Sequence, residues 1–225
     1  MNIIAMASRK GGAGKSTLTA HLAGFCHLAG NRCIVLDADP QGSLSLWHSL
    51  RPNGEPQLRS AARGIERVLA HAMVEGYQWA FIDTAASMWV VAQEAIRAAT
   101  FVVIPARPGF FDINAVRETV ATARERNKPY AVVLNAAPPK RDDKEAPAVG
   151  QSRAFFDKLG IPVWSGQISQ RAGFVLTLAA GASISEVAPE SLGGTEVAGL
   201  WSAIERSVAA INEAHHAGIS HGQAA

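Results

Sequence analysis

The sequence has little net charge, and it has no long apolar run. Its 21 Lys and Arg residues are nearly balanced by 19 Asp and Glu residues, which gives a formal net charge of +2. Bulk charge therefore does not indicate a nucleic-acid-binding protein, and any basic surface must be a local patch. No apolar run reaches the ~18 residues of a membrane-spanning helix. The apolar start at residues 2–7 is too short for a signal peptide, and its basic residues follow it, so we expect a cytoplasmic protein.

Cysteine is also scarce. The two cysteines, Cys26 and Cys33, do not form a CxxC pair. We expect both to be small buried apolar side chains in a reducing compartment, not metal ligands or a redox pair. The histidines near the end of the chain, His215, His216 and His221, are expected to be solvated.

Short apolar runs recur along the chain, and helical patterns lie between them. The runs do not alternate apolar with polar residues, which is typical of strands that are buried on both faces of a parallel sheet. The pattern predicts an α/β fold, with a doubly wound, mostly parallel sheet and helices on both faces. The predicted strands are residues 3–7, 33–36, 79–82, 101–104 and 130–134.

The chain is expected to form a single domain over residues 1–215, which closes with a long helix at about 195–214. The small, polar residues 216–225 are expected to be a disordered tail. Proline and charge predict loops at 51–57 and 136–150. Because the first predicted strand begins near residue 2, we expect no N-terminal DNA-reading domain.

The strongest motif follows the first predicted strand directly. Glycines there let the backbone wrap a phosphate group with its N–H groups pointing inward, and the start of the next helix adds partial positive charge. In such a P-loop, Lys15 would neutralise the β- and γ-phosphates, Ser16 would ligate Mg²⁺ directly, and Thr17 would bond the α-phosphate. The predicted ATP-binding residues are Lys10, Gly11, Gly12, Ala13, Gly14, Lys15, Ser16 and Thr17.

Two other interpretations of this loop remain. The strict P-loop pattern has glycine at position 9, where this chain has Arg9, and a glycine-rich turn without a ligand would explain the glycines alone. A dinucleotide-binding fold would use Gly12 and Gly14 with the later acid Asp37, but its third glycine would fall at position 17, which is Thr17. The Lys-Ser pair would have no role in that fold.

Carboxylates end two of the predicted strands. Asp37 and Asp39 close the second, and Asp83 closes the third. Because strand carboxyl ends meet at one crevice in such folds, we expect Asp37 and Asp83 to hold water molecules of a Mg²⁺ shell and Asp39 to orient the attacking water. Helix capping and turn formation are the structural alternative for these acids.

Together, these residues resemble the deviant P-loop ATPases of the ParA/MinD group. The resemblance covers the loop at 10–17, the segment Asp37–Gln41 and the strand ending at Asp83. Similar later segments are residues 104–108 with Asp112, and residues 132–135 followed by Pro138. The likeness extends to about residue 205 and favours the ParA-like branch.

The resemblance implies a set of roles. Lys10 would act as a catalytic residue with Lys15 and Asp39, reaching the partner's phosphates in a homodimer that encloses two ATP molecules. Asn135 would contact the adenine edge. Hydrolysis would be slow and stimulated by a ParB-like protein or cargo adaptor. The ATP dimer would bind DNA without sequence preference, associate with the nucleoid, and segregate or position a cargo.

One departure from the group concerns hydrolysis. Ala85 and Ala86 stand where relatives have proline or glycine pairs, and an alanine keeps an N–H that proline lacks. The contact to the γ-phosphate therefore differs from that of relatives with proline there. This departure leaves open a module that holds ATP without cleaving it.

Other functions compatible with the scaffold are a MinD-like membrane-cycling ATPase and an ATP-dependent small-molecule synthetase. The apolar stripe of the last predicted helix lies beside an acidic polar face, which has the wrong sign for anionic lipid, so membrane binding is not expected. For DNA, Arg153 and Arg171 are the preferred contacts, because both lie on predicted helices without adjacent acids.

Overall fold

This computed structural model describes the backbone of residues 1–61 and 64–222, and the side chains of those residues except 110, 111 and 218–222. The strands form one six-stranded sheet, and every strand pair in it is parallel. The strand order is β3-β2-β4-β1-β5-β6. The strands are β1 (Asn2–Met6), β2 (Cys33–Ala38), β3 (Gln57–Ser60), β4 (Trp79–Thr84), β5 (Phe101–Ala106) and β6 (Tyr130–Leu134).

Helices cover both faces of the sheet, so the predicted doubly wound α/β fold is confirmed. The central strands are mostly apolar because both of their faces are buried, and the polar residues Asp37, Asp83 and Thr84 lie at their carboxyl ends. In the described part of the chain, the helices are α1 (Lys15–Leu28), α2 (Ser43–Ser49), α3 (Ile65–Val74), α4 (Trp89–Ala98), α5 (Phe110–Glu125), α6 (Pro147–Lys158), α7 (Ala172–Ala179), α8 (Ile184–Val187) and α9 (Leu192–Gly222).

Two hydrophobic layers form the core, one on each side of the sheet. Helices α3, α4, α5 and α6 pack on one face. Helices α1, α2, α7, α8 and α9 pack on the other, where Trp201 of α9 stacks 4.7 Å from Trp79 of the sheet. The apolar stripe of α9, which includes Leu200, Ile204 and Val208, is therefore buried in the core. In the described residues, no helix is long and apolar enough to span a membrane.

The structure departs most from the predicted elements at β3, α6 and α9. Strand β3 was missed because Gln57, Arg59 and Ser60 are polar, and it pairs only with β2 at the sheet edge. The predicted loop at 136–150 is too long, since α6 begins at Pro147, a residue whose fixed φ suits the first turn of a helix. Helix α9 continues to Gly222, into the segment expected to be a tail, and residues 223–225 lie outside the described residues. The division of the chain at residue 215 stays a prediction.

Candidate functional site

The loop between β1 and α1, residues 7–14, is called the phosphate loop below. Gly12 and Gly14 adopt left-handed φ angles of 72° and 94°, a conformation that favours glycine. A Cβ at Gly14 would also collide with the side-chain amide nitrogen of Asn135. This backbone path therefore depends on glycine at these positions, as the sequence pattern predicted.

Lys15 begins α1 and is directed back into the loop. Its Nζ atom donates to the carbonyl oxygens of Ser8 at 3.3 Å and Lys10 at 3.4 Å. Burial lowers the pKa of Lys15, while the nearby charges of Asp83 and Asp39 act to raise it. Within the described residues, Lys15 has no ion pair closer than 4 Å. The buried charge is thus held by neutral carbonyls, an arrangement suited to an incoming anion.

Asp83 ends β4 beside the start of α1. Its side chain is fully buried, and neither carboxylate oxygen has a hydrogen-bond partner within the described residues. Burial raises the pKa of Asp83 to about 7, whereas the adjacent Ser16 hydroxyl acts to lower it and Asp37 to raise it. Buried carboxylate oxygens without partners are rare, and they are typical of positions where a water molecule or a ligand binds. Oxygen donors of this kind suit a hydrated Mg²⁺ ion.

Asp37 lies opposite Asp83 in the register of β2 and β4, as expected. Its oxygens, however, already have protein partners. One accepts hydrogen bonds from the Ser45 backbone N–H at 2.9 Å and hydroxyl at 2.7 Å, and the other accepts from the Asp39 N–H at 3.2 Å. Asp37 therefore helps to fix the first turn of α2, which is the structural alternative noted from the sequence. Its contact with a metal-bound water stays a prediction.

Asp39 lies on the wall of a cleft above the phosphate loop. Its Oδ1 atom accepts a hydrogen bond of 2.9 Å from the Gln41 N–H, which closes a turn, and its side chain is only half-buried. The cleft has a volume of about 810 Å³. This size falls within the range of ligand pockets, roughly 300–1,000 Å³.

The cleft has a polar end and an apolar end. The polar end is lined by Gly11, Gly12, Gly14, Lys15, Ser16, Thr17, Asp39, Gln41, Ser43, Ala86, Ser87 and Arg107. The apolar end is lined by Ala20, Leu44, Leu46, Trp47, Leu50, Val175, Leu178 and Ala179. The apolar end was not predicted, because it is formed where α2 meets α7, and these helices are far apart in the sequence.

Arg107 is a second cation of the cleft that was not assigned a role from the sequence. Its Nη2 atom lies 3.9 Å from the position that a Cβ on Gly12 would occupy. Its position directly after β5 was the available signal, because strand carboxyl ends converge on this crevice.

Lys10 is placed beside the cleft, and no described residue forms a hydrogen bond or ion pair with its ammonium group. Its backbone instead contributes to the loop, where the Lys10 N–H donates to the Ser8 hydroxyl at 3.3 Å. An ammonium group without a partner among the described residues is compatible with a role across a dimer interface, which stays a prediction.

Asn135 is buried against the phosphate loop, and its contact with the adenine edge stays a prediction. Its Nδ2 atom donates to the Ala13 carbonyl oxygen at 2.7 Å, and the side chain is 5% exposed. The structure thus places Asn135 as a brace that holds the phosphate loop against the end of β6.

The two arginines predicted as DNA contacts form ion pairs within the fold, and their contact with DNA stays a prediction. Arg153 pairs with Glu145 and donates to the carbonyl oxygens of residues 164–166. Arg171 pairs with Glu196 at 3.0 Å. Glu196 is distant from Arg171 in the sequence, and Glu145 lies before α6. An inspection of the residues adjacent to each arginine therefore did not reveal these ion pairs.

Both cysteines are buried free thiols, which confirms the prediction that they are core residues. Burial and the neighbouring Cys33 thiol raise the pKa of Cys26. Within the described residues, no cluster of three or more His, Cys, Asp and Glu side chains is arranged to bind a metal ion.

Comparison with known proteins adds a family match. The profile of the CobQ/CobB/MinD/ParA nucleotide binding domain matches residues 4–184. The chromosome-partitioning ATPase Soj of Thermus thermophilus is 26% identical over 157 residues, which cover 54% of this chain and 61% of Soj. The maintenance of carboxysome distribution protein A of Halothiobacillus neapolitanus is 26% identical over 194 residues, which cover 82% of this chain and 87% of that protein.

Other similarities are shorter in sequence or limited to the fold. A candidate replication protein A of Sinorhizobium fredii is 43% identical over 65 residues, so this chain spans only 16% of its length. The structure of apo McdA from Cyanothece superposes with a TM-score of 0.74 at 16% identity, and covers 91% of this chain and 99% of that one. At this identity, the superposition supports the fold alone.

Proposed function

Because the chain belongs to the CobQ/CobB/MinD/ParA family of nucleotide-binding domains, we propose that it is a ParA-like positioning ATPase. In this proposal it binds ATP with Mg²⁺, dimerises around the nucleotides, binds DNA without sequence preference, and hydrolyses ATP slowly when a partner stimulates it. The observation that most supports the proposal is Asp83, a buried carboxylate without partners beside Ser16 and Lys15.

In the proposed complex, the phosphate groups occupy the polar end of the cleft. The N–H groups of residues 11–16 and the amino end of α1 attract the anion, since helix amino ends carry partial positive charge. Lys15 exchanges its carbonyl partners for phosphate oxygens, and Thr17 bonds the α-phosphate. The apolar end of the cleft remains for the nucleoside.

The residues present fit Mg²⁺. Ser16 would ligate the ion directly, while Asp83 and Asp37 would hold its water ligands, and the ion would neutralise charge on the phosphates. Asp83 must be ionised for this role. Because its pKa is raised to about 7 by burial, a nearby cation would favour the ionised form.

Hydrolysis would use Asp39 to orient water on the solvent side of the γ-phosphate. The half-exposed carboxylate is available there, since only one of its oxygens is used in the turn with Gln41. Ala86 and Ser87 form the facing wall. Their backbone N–H groups can donate to the γ-phosphate, which a proline at those positions could not do.

The dimer would bring Lys10 of one protomer to the phosphates of its partner. Two copies enclosing the nucleotides would exclude water from the cleft, which strengthens charge interactions with the transferred phosphoryl group. Because such a dimer would form only with bound ATP, ATP hydrolysis would dissociate it and release the DNA or cargo that it binds.

A DNA contact would use exposed cations instead of Arg153 and Arg171. Lys140, Arg141 and Lys144 lie on a tight turn in which Arg141 and Lys144 exchange backbone hydrogen bonds of 3.1 and 2.9 Å. An exposed turn of this kind can place several ammonium and guanidinium groups against phosphates. Cargo binding through an adaptor rests on the relatives, whose names describe chromosome partitioning and carboxysome distribution.

The proposal is tested by measuring mass and DNA binding together. Light scattering should show a dimer with a non-hydrolysable ATP analogue and Mg²⁺, and a monomer without nucleotide. Only the dimer should retard DNA of unrelated sequences, and replacing Lys140, Arg141 and Lys144 by Ala should weaken this retention at unchanged dimerisation. A monomer under all conditions would refute the proposal, and nucleotide-dependent pelleting with anionic liposomes instead of DNA would favour the membrane-cycling alternative.

A further inference from the structure

Arg9 replaces the first glycine of the strict P-loop pattern, and its side chain turns away from the cleft. The guanidinium carbon lies 4.7 Å from the ring centroid of Trp89. The Nε atom also forms an ion pair of 2.8 Å with Glu118 of α5. One side chain of the phosphate loop thus contacts two helices on the far side of the sheet from α1.

Trp89 is the first residue of α4 and directly follows the loop between β4 and α4, residues 85–88. Ala86 and Ser87 of this β4–α4 loop line the cleft. The described residues contain no other hydrogen bond, ion pair or cation-π contact between the phosphate loop and residues 85–89. Arg9 is therefore placed to fix the distance between the two walls of the cleft.

The same side chain is adjacent to Lys10 along the backbone. Anchoring Arg9 on Trp89 and Glu118 restricts the backbone from which the Lys10 side chain extends. The contacts are too exposed to matter greatly for folding, because Arg9 and Glu118 are 43% and 48% exposed and exposed ion pairs contribute little to stability. Their effect should instead be on the geometry of the cleft.

From these contacts we infer that Arg9 is a positioning residue that couples the phosphate loop to the β4–α4 loop, through Trp89 and Glu118. The inference rests on the proposed ATPase function for its effect on turnover. Arg9 does not touch the cleft, so nucleotide affinity should change little. ATP turnover requires the two walls of the cleft to be at a fixed separation. The turnover number should therefore change more than the affinity, since small displacements of positioned groups reduce rates strongly.

The test compares Arg9→Ala and Arg9→Lys with the matched control Arg59→Ala. Arg59 forms a similarly exposed ion pair of 2.7 Å with Glu75, at the opposite edge of the sheet. In Arg9→Ala the turnover number should fall about threefold to tenfold, the range expected for a cation-π contact with an ion pair, while ATP affinity stays within about twofold. Arg9→Lys should recover part of the loss, and Arg59→Ala should match the wild type.

A second measurement does not depend on hydrolysis. In nucleotide-free protein, hydrogen exchange of residues 85–90 should be faster in Arg9→Ala than in the wild type and partly restored in Arg9→Lys. Arg9→Ala should increase the exchange rate less in a protein that already carries Glu118→Gln than in the wild type, because the two residues act together. Unchanged exchange at 85–90, or an equal change in Arg59→Ala, overturns the coupling. A wild type without ATPase activity would refute the proposed function, and the exchange data would still decide the coupling.

Discussion

Two buried groups of opposite charge, Lys15 and Asp83, face the phosphate loop without a direct ion pair. Burial lowers the pKa of the lysine and raises that of the aspartate, because removal from water disfavours the charged form of each group. A phosphate chain with a hydrated cation would oppose both effects. The charge pattern is therefore compatible with the proposed binding of an anion together with a divalent cation.

Asp39 gives a prediction at the scale of a single residue. Asp39→Ala should reduce ATP turnover by about 100-fold or more, the lower range for loss of a general acid–base or water-positioning group, while leaving ATP binding intact. The nucleotide-bound dimer should then persist, because dissociation follows hydrolysis. Single-turnover phosphate release and light scattering with ATP would measure both effects. Normal turnover in the variant would remove Asp39 from the mechanism.

Residues near the motif could be predicted, and residues that depend on tertiary contacts could not. The order of glycines, Lys15 and Ser16 is local, so it indicated the loop directly. The Asn135 brace joins residues separated by 122 positions, and its partner is a backbone carbonyl, which no side-chain pattern marks. The partners of Arg153 and Arg171 were likewise invisible to an inspection of neighbouring residues.

At the scale of elements, His21 ties three helices together. From the middle of α1, its Nε2 atom lies 3.2 Å from the Phe174 carbonyl oxygen of α7. Its Nδ1 atom accepts a hydrogen bond of 3.0 Å from the Ile184 N–H of α8. Burial lowers the pKa of His21 to about 4, although the Phe174 carbonyl acts to raise it. The neutral ring is thus part of the packing of α1 against α7 and α8.

This lowered pKa predicts a pH dependence of stability. Below pH ~6.5 the unfolded chain binds a proton at this histidine and the folded protein does not, so folding stability should fall as the pH decreases toward 4. The loss from His21 alone should reach about 3 kcal/mol near pH 4. Urea unfolding at several pH values would measure it.

The control is His71, an exposed histidine of α3. His21→Gln should flatten the curve between pH 6.5 and 4, while His71→Gln should retain the slope of the wild type. An unchanged slope in His21→Gln would show that other groups cause the acid sensitivity.

Arg153 gives a second prediction for the elements. Its guanidinium fastens α6 to the segment at residues 164–166, so Arg153→Ala would leave Glu145 and several carbonyl oxygens without a partner. The free energy of unfolding should decrease by about 2 kcal/mol, as for loss of charged hydrogen bonds. Lys158→Ala, an exposed change on the same helix, should stay within about 0.5 kcal/mol of the wild type. Chemical denaturation would measure the free energy of unfolding of the wild type and both variants. Equal stability of the three proteins would refute the role of Arg153 in fastening α6.

The sequence predicted elements best where both faces of a strand are buried. Continuous apolar runs located five strands, whereas β3 was missed because its edge position allows polar residues such as Gln57 and Arg59. Helix α2 is short, and its start depends on the Asp37–Ser45 hydrogen bonds. Such boundaries are set by contacts between elements more than by the residues inside them.

At the scale of the whole molecule, the parallel sheet delivers the ends of β1, β2, β4 and β5 to one edge, where the cleft is. The proposed dimer would form across this edge. Lys10→Ala should therefore bind ATP and yet dimerise weakly and hydrolyse slowly, because the proposed role of the Lys10 ammonium group is at the partner's phosphates. Light scattering and nucleotide titration on the same sample would separate the two effects. A variant that dimerises and hydrolyses like the wild type would contradict a trans role.

The central claim is that the phosphate loop binds ATP together with Mg²⁺, and calorimetric titration of the purified protein with ATP tests it most directly. The account predicts saturable binding that weakens strongly when EDTA removes Mg²⁺, is absent in Lys15→Ala, and is unchanged in Lys158→Ala. No saturable heat in the wild type, or equal binding by Lys15→Ala, would contradict the claim.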